Sequence, residues 1–172
     1  MGLFNKSDTY ESLFKTVFRF STDCSLSMIN VLFSHGIRSN SINADNSDLF
    51  FLIYVQSKIL QNYTFLYGQR KADKFVDFYI KKLREILFNN LDYQQYDSLE
   101  NHMDKMELDI FKAVYYNHIV EENDNPALRL CKTYLKYVVS PPVESPDLIS
   151  AIIKELESQH IQTNNICYKN KI

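Results

Sequence analysis

The chain has 172 residues, of which 45% are hydrophobic and 23% are charged, and its formal net charge is −2. This length is enough for one domain with its own core, and the composition excludes a disordered chain. The sequence pI of about 6.1 lacks the positive charge that is typical of nucleic-acid-binding proteins, so we do not expect nucleic acid as a partner.

Glycine, aromatic and cysteine usage narrows the fold class. The chain has three Gly, four Pro and no Trp, but twelve Tyr and twelve Phe, which favours long helices around an aromatic core. The sequence therefore predicts an all-α protein. Cys24, Cys131 and Cys167 lie far apart without a CxxC pair, so we expect neither a disulfide framework nor a cysteine zinc site. This pattern, and the lack of a secretory signal near the N-terminus, favour a cytoplasmic location.

The first helical region is predicted between residues 8 and 35. Ser21 and Thr22 are residues that often start a helix, so the pattern fits either one kinked helix or two short ones. Gly36 is a suitable residue just beyond the last turn. Residues 37–47 are rich in Asn and Ser, which predicts a loop.

The next segment predicts a central apolar helix near residues 48–67, capped by Ser47 or Asp48 and ended by Gly68. The run Leu49–Val55 is apolar without a break, but polar residues follow before the roughly 20 apolar residues that a membrane span needs. We therefore expect no membrane span. Apolar side chains lie on both sides of this helix, so we expect its neighbours to cover it; a self-association surface is the alternative.

A strongly amphipathic helix is predicted over residues 69–88, with apolar residues on one side at helical spacing and a largely basic opposite side. Phe78 is the exception, because it lies on the basic side near Lys71, Lys74 and Lys82. An aromatic side chain among lysines can anchor a protein partner or stack on a base. Phe78, Lys71, Lys74 and Lys82 are therefore the predicted partner-binding residues; the alternative is a merely exposed Phe.

Charge is distributed in blocks along the chain. Residues 91–125 carry two basic and nine acidic side chains, a net charge of −7, and the segments on either side are positive. This predicts an acidic helix, over about residues 98–120, that pairs with basic helices. A second apolar stripe lies on roughly the opposite side from the main one and consists of Leu108, Phe111, Tyr115 and Ile119. We therefore expect the C-terminal half of this helix to be buried on all sides.

One face of the acidic helix carries Glu100, Asp104, Glu107 and His118. Carboxylates one turn apart, with a histidine, are ligand types that bind iron, manganese or zinc in helical bundles. However, no Glu-x-x-His pattern occurs, and His118 lies about 16 Å along the axis from Glu107 at 1.5 Å per residue. We favour a solvated acidic face and predict no metal, with Glu100, Asp104 and Glu107 as the remaining candidates.

Two more helices are predicted towards the C-terminus, one from Pro126 and one from Ser145 or Pro146. His160 is expected to be a surface or cap residue. We expect residues 1–160 to form a single helical domain and residues 161–172 to form a polar, frayed tail.

Taken as a sequence alone, the chain predicts one compact all-α bundle of five to seven helices around the apolar helix near 48–67. No HExxH, GxSxG or phosphate-binding glycine pattern occurs. We expect a non-enzymatic protein without a cofactor that acts by protein–protein interaction, as an adaptor, regulator or inhibitor, on another protein or a second copy of itself. The alternative is a bundle that binds a small molecule, haem or metal, or an enzyme, with a pocket lined by Phe and Tyr.

Overall fold

The computed structural model describes residues 6–115, 125–143 and 145–170 of the chain. These ranges contain six α-helices and one 3₁₀ turn over Ser39–Ser41, and no β-strand. The predicted all-α bundle of five to seven helices is therefore confirmed. The helices are α1 (Lys6–Ser34), α2 (Ala44–Tyr67), α3 (Gln69–Leu87), α4 (Tyr93–Tyr115), α5 (Pro126–Val138) and α6 (Pro146–Lys169).

The first helical region is one helix and not two. The Ser21 hydroxyl donates a hydrogen bond to the Val17 carbonyl at 2.9 Å, and the Thr22 hydroxyl donates to the Phe18 carbonyl at 3.2 Å. Each side chain therefore bonds one turn back within the helix instead of capping a new one. Ser21 and Thr22 thus lie within α1 without breaking it.

The end of α1 is set by Gly36, as predicted. Gly36 has φ of +79°, a region that glycine enters without steric cost. Its N–H donates to the Phe33 carbonyl at 3.0 Å, and the Ile37 N–H donates to the Leu32 carbonyl at 3.1 Å. This pair of bonds is a Schellman motif and satisfies carbonyls that the last turn leaves free.

Helix α2 begins earlier than predicted. Its N-cap is Asn43, whose side chain accepts a hydrogen bond from the Asn46 N–H at 2.9 Å. The predicted cap, Ser47, is instead buried within the helix, where its hydroxyl bonds to Ser25 at 2.9 Å and Tyr134 at 3.0 Å. The prediction was wrong because several good capping residues stand in this segment and only packing decides among them.

Helix α2 is the centre of the bundle, as predicted, because it packs against each of the other five helices. Every residue from Leu49 to Val55 is buried, with exposed fractions between 0 and 6%. A helix that is apolar on all sides needs such complete cover. Its two ends emerge: Ala44 is exposed in the first turn, and Phe65, near the last turn, is 86% exposed. Among the described residues, no helix combines the length and apolar character needed to cross a membrane.

Helix α4 pairs with basic neighbours, as its charge predicts. Glu100 lies 3.2 Å from Arg84 of α3, and Asp109 lies 2.7 Å from Lys136 of α5. Exposed ion pairs of this kind contribute at most about 1 kcal/mol each. They therefore favour the observed arrangement of helices, while the apolar core supplies most of the stability.

The bounds and burial of α4 differ from the prediction. The helix begins at Tyr93 because Asp92 and Gln95 cap it reciprocally: the Gln95 N–H donates to the Asp92 carboxylate at 2.8 Å, and the Asp92 N–H donates to the Gln95 side chain at 3.2 Å. Leu108 and Phe111 are 51% and 48% exposed. Burial on all sides was thus the wrong prediction for this half, because α2 and α5 cover only the opposite face. The predicted extension through residues 116–120 lies outside the described residues.

The frayed tail predicted for residues 161–172 is wrong as far as residue 169, because α6 continues to Lys169. Thr163 and Cys167 are fully buried and prolong the inner face of α6 at helical spacing. The Thr163 hydroxyl donates to the Gln159 carbonyl at 2.9 Å, which allows a polar side chain to be buried there. Residues 171–172 lie outside the described residues.

Candidate functional site

A pocket of about 510 Å³ lies where α2, α5 and α6 meet, beside the last described turn of α4. Its volume falls within the roughly 300–1,000 Å³ typical of small-molecule sites. Apolar side chains form most of the wall, and a few polar groups line the rest. The apolar lining residues are Val114, Pro126, Ala127, Leu130, Leu156 and Ile161, and the polar ones are Tyr54, Lys58, Asn125, Glu157 and His160.

Local structure explains why the three helices leave this space. Asn125 caps α5 by accepting a hydrogen bond from the Ala127 N–H at 2.9 Å, and Pro126 occupies the first helical position, as predicted. The first two residues of α5, Pro126 and Ala127, therefore present small side chains to the pocket. On the other side, α2 and α6 run parallel and are joined by a 2.8 Å hydrogen bond from Asn62 to Asn164.

Lys58 is the only basic side chain among the described residues that line this pocket, apart from His160. It is half-buried, and its Nζ atom lies 6.0 Å from the centre of the Tyr54 ring. Burial lowers the pKa of the Lys58 ammonium. Within the described part of the chain, no carboxylate forms an ion pair with it. Lys58 is therefore a cation at the edge of the core whose charge the described residues do not neutralise.

His160 lies beside Lys58 and is half-buried, contrary to the expectation of a surface or cap residue. The Asn164 carbonyl oxygen accepts from Asn62, so the Asn164 amide nitrogen faces His160 Nε2 at 3.4 Å. Nδ1 is buried and has no hydrogen-bond partner. Burial, with the charge of Lys58, lowers the pKa of His160 and so favours its neutral form.

Two kinds of chemistry are open to such a lysine. A charged ammonium binds an anion, and a neutral amine can attack a carbonyl group. Desolvation, which lowers the pKa of a lysine, is what activates its amine for such attack, and burial lowers the pKa of Lys58. His160 is the neighbouring base, and its Nδ1 has no hydrogen-bond partner among the described residues.

The predicted partner-binding residues lie along the outer side of α3, and the structure gives them different roles. Phe78 is half-buried, with its ring centre 5.8 Å from that of Tyr10 in α1. Lys82 lies 3.8 Å from Glu11 and 3.3 Å from Glu85. These two side chains contribute to packing and pairing within the bundle.

The other two predicted residues, Lys71 and Lys74, are exposed, as is Arg70 beside them. The Lys71 Nζ atom lies 5.9 Å from the centre of the Tyr67 ring. Among the residues described, none of these three cations forms an ion pair. They form a basic patch, Arg70–Lys71–Lys74, at the start of α3.

The candidate metal ligands Glu100, Asp104 and Glu107 line a small cleft of about 90 Å³ between α3 and α4. Arg84 lines the same cleft and pairs with Glu100. Partial burial and the charge of Asp104 raise the pKa of Glu107, and Arg84 opposes this shift. No group of three or more His, Cys, Asp or Glu side chains in the described ranges is arranged to hold a metal ion. His118 lies outside those ranges.

Sequence reasoning missed Lys58 and His160. One signal in the sequence could have indicated Lys58. Apolar residues occupy both sides of its helix, so a lysine on that helix must lie close to the buried core. That signal does not reveal His160, which comes from a distant helix. Comparison with known proteins gives no match, whether with protein-family models, curated proteins or solved structures.

Proposed function

We propose that this chain is a non-enzymatic binding protein that holds a small, largely apolar molecule in the pocket between α2, α5 and α6. The observation that supports this proposal is the pocket itself, which is about 510 Å³ in volume and mostly apolar in lining. Pockets of this size between helices of a bundle are common ligand sites. Among the functions that the sequence predicts, this corresponds to the small-molecule alternative, but the predicted lining of Phe and Tyr is wrong, because the described wall holds one Tyr, Tyr54, and no Phe.

The thiols support a binding role over a nucleophilic one. Burial raises the pKa of Cys24 and of Cys167 to about 12 in each case. At neutral pH both groups are therefore thiols, and the thiol is a poor nucleophile compared with the thiolate. Cys131 is also buried.

Titration with N-phenyl-1-naphthylamine, a neutral apolar dye that fluoresces in apolar surroundings, tests the proposal. We expect saturable binding of one dye per chain. Ala127→Phe adds a ring inside the pocket and should weaken this binding at least about tenfold, the effect of losing roughly 1.4 kcal/mol of contact. The matched control Ala44→Phe adds the same ring at an exposed position outside the pocket and should bind as the wild type does. Equal weakening by both variants, or no saturable binding, would contradict the proposal.

A second candidate function is docking of an acidic protein on the basic patch Arg70–Lys71–Lys74, which includes Lys71 and Lys74 of the four predicted partner-binding residues. The observation that favours it is that these three exposed cations have no ion pair within the described ranges. Such a patch attracts an acidic surface, and the attraction weakens as salt is added.

Binding of poly-L-glutamate, measured by calorimetry at low salt, tests this second function. The double variant Lys71→Glu with Lys74→Glu reverses the charge at both positions and should abolish binding of poly-L-glutamate. The control is the single change Lys132→Glu on the exposed side of α5. If the control loses as much affinity as the double variant, the attraction is general and the patch is not a docking site.

A further inference from the structure

We propose that the ligand of the α2/α5/α6 pocket is an apolar carboxylic acid, bound as its anion, with the carboxylate on the Lys58 ammonium. This inference rests on the proposed function and adds the chemical class of the ligand.

Lys58 presents a positive charge that the described residues leave uncompensated. The side chain is half-buried at the pocket and lacks an ion pair within those residues. A buried cation without a counter-charge is unfavourable, because desolvation is not repaid by any close attraction. A carboxylate in the pocket would supply that counter-charge, and the bond between the two charged groups would be stronger than one between neutral groups.

The other ionisable groups at the pocket are compatible with one bound anion. His160 adds no fixed negative charge, and Glu157 is exposed at the rim. Burial is the cause that lowers the pKa of Lys58. The lining residues from α4 and α5 carry no charge. Lys58 is thus the one fixed cation on the described wall, which fits a ligand with a single acid group.

The apolar wall accounts for the rest of the ligand. Leu130 of α5, Leu156 and Ile161 of α6, and Val114 of α4 line the same space. Burial of a hydrocarbon chain on such a wall contributes about 0.8 kcal/mol for each methylene group. The pocket therefore combines one fixed cation with an apolar wall, which matches an acid with an alkyl or aromatic tail.

The test compares dodecanoate with dodecan-1-ol, which have the same chain length and differ in the charge of the head group. Each is used below its aggregation concentration to displace N-phenyl-1-naphthylamine from the wild-type protein at pH 7.5. We expect dodecanoate to compete about ten- to a hundredfold more strongly than the alcohol, the range for a hydrogen bond to a charged group. Lys58→Met should remove this preference and retain binding of the alcohol. Lys58→Arg should retain the preference.

Two outcomes would overturn the inference, and they differ in what they say of the proposed function. Equal competition by acid and alcohol in the wild type would leave the proposed function standing and refute the acid class. Failure of both compounds to displace the dye would refute the acid class, and it would refute the proposed function as well if dye binding is also unchanged by Ala127→Phe. The wild-type comparison needs no variant, so it decides the question even if Lys58→Met folds poorly. The matched control Lys132→Met, at an exposed lysine of α5, should keep the wild-type preference for the acid.

Discussion

Lys58 carries a charge that the described part of the chain does not neutralise. It lies on the central helix α2, at the point where that helix borders the pocket. A methionine at this position would lose no ion pair with the residues described and would avoid the desolvation cost. The proposed acid ligand explains why a lysine is useful there.

His160 yields a prediction on stability and pH. Burial and the charge of Lys58 lower the pKa of its ring from the ordinary value of 6.5. The folded protein therefore binds this proton more weakly than the unfolded chain does, so the contribution of His160 to stability is fully present above the unfolded pKa and is lost as the pH falls below it. We expect the urea midpoint of the wild type to fall more steeply between pH 7 and pH 5 than that of His160→Gln.

The neighbouring charges provide the check on this prediction. Lys58 of α2 and Glu157 of α6 line the pocket with His160. Lys58→Met removes the positive charge beside His160 but keeps the His160 ring. The fall of its urea midpoint between pH 7 and pH 5 should therefore lie between those of the wild type and His160→Gln. An equal fall of the urea midpoint with pH in the wild type and in His160→Gln would show that the His160 ring does not titrate as its surroundings indicate.

At the scale of the helix, α2 offers a direct test of its central position. Phe50 is fully buried, and its ring centre lies 5.2 Å from that of Tyr134 in α5. Phe50→Ala should lower the free energy of unfolding by about 3–5 kcal/mol, as expected when a buried phenylalanine is removed. Urea unfolding followed by circular dichroism measures this loss.

The same helix supplies the matched control. Phe65 lies on α2 but is 86% exposed, so Phe65→Ala should change the free energy of unfolding by no more than about 0.5 kcal/mol. Similar losses for the two variants would mean that α2 is not enclosed along Leu49–Val55 as described.

The helices themselves could be predicted from the sequence because apolar residues recur at the helical period, as in α3. Their ends were less predictable, since several residues near an end can act as caps. At the start of α2 the cap is Asn43, while Ser47 is buried and hydrogen-bonded to Ser25 and Tyr134. The end of α6 was missed because Thr163 and Cys167 are buried in an otherwise polar segment.

For the whole molecule, the site depends on contacts that the sequence does not encode locally. Lys58 and His160 come from helices that are distant in the chain and adjacent in space. Their proximity follows from the parallel packing of α2 and α6, which includes the Asn62–Asn164 hydrogen bond. Periodicity predicts which face of each helix is buried, but it does not predict which helices become neighbours.

Ion pairs between helices also contribute to the arrangement of the whole molecule. The acidic helix α4 lies between α3 and α5 and pairs with both through Arg84 and Lys136. These pairs neutralise part of the positive charge that the sequence places on the two basic segments. The basic patch at the start of α3 lies outside this pairing, so it is the part of the basic surface that stays open to an acidic partner.

The most direct test of the account is a map of backbone amide chemical shifts, recorded by NMR as dodecanoate is added to the ¹⁵N-labelled protein. We predict saturable shifts concentrated at Tyr54 and Lys58 of α2, at Ala127 and Leu130 of α5, and at Leu156 to Ile161 of α6. The Lys58→Met variant should show much smaller shifts at the same acid concentration. Shifts centred on α3 or spread evenly over the surface, or no saturable shifts at all, would contradict a ligand site in this pocket.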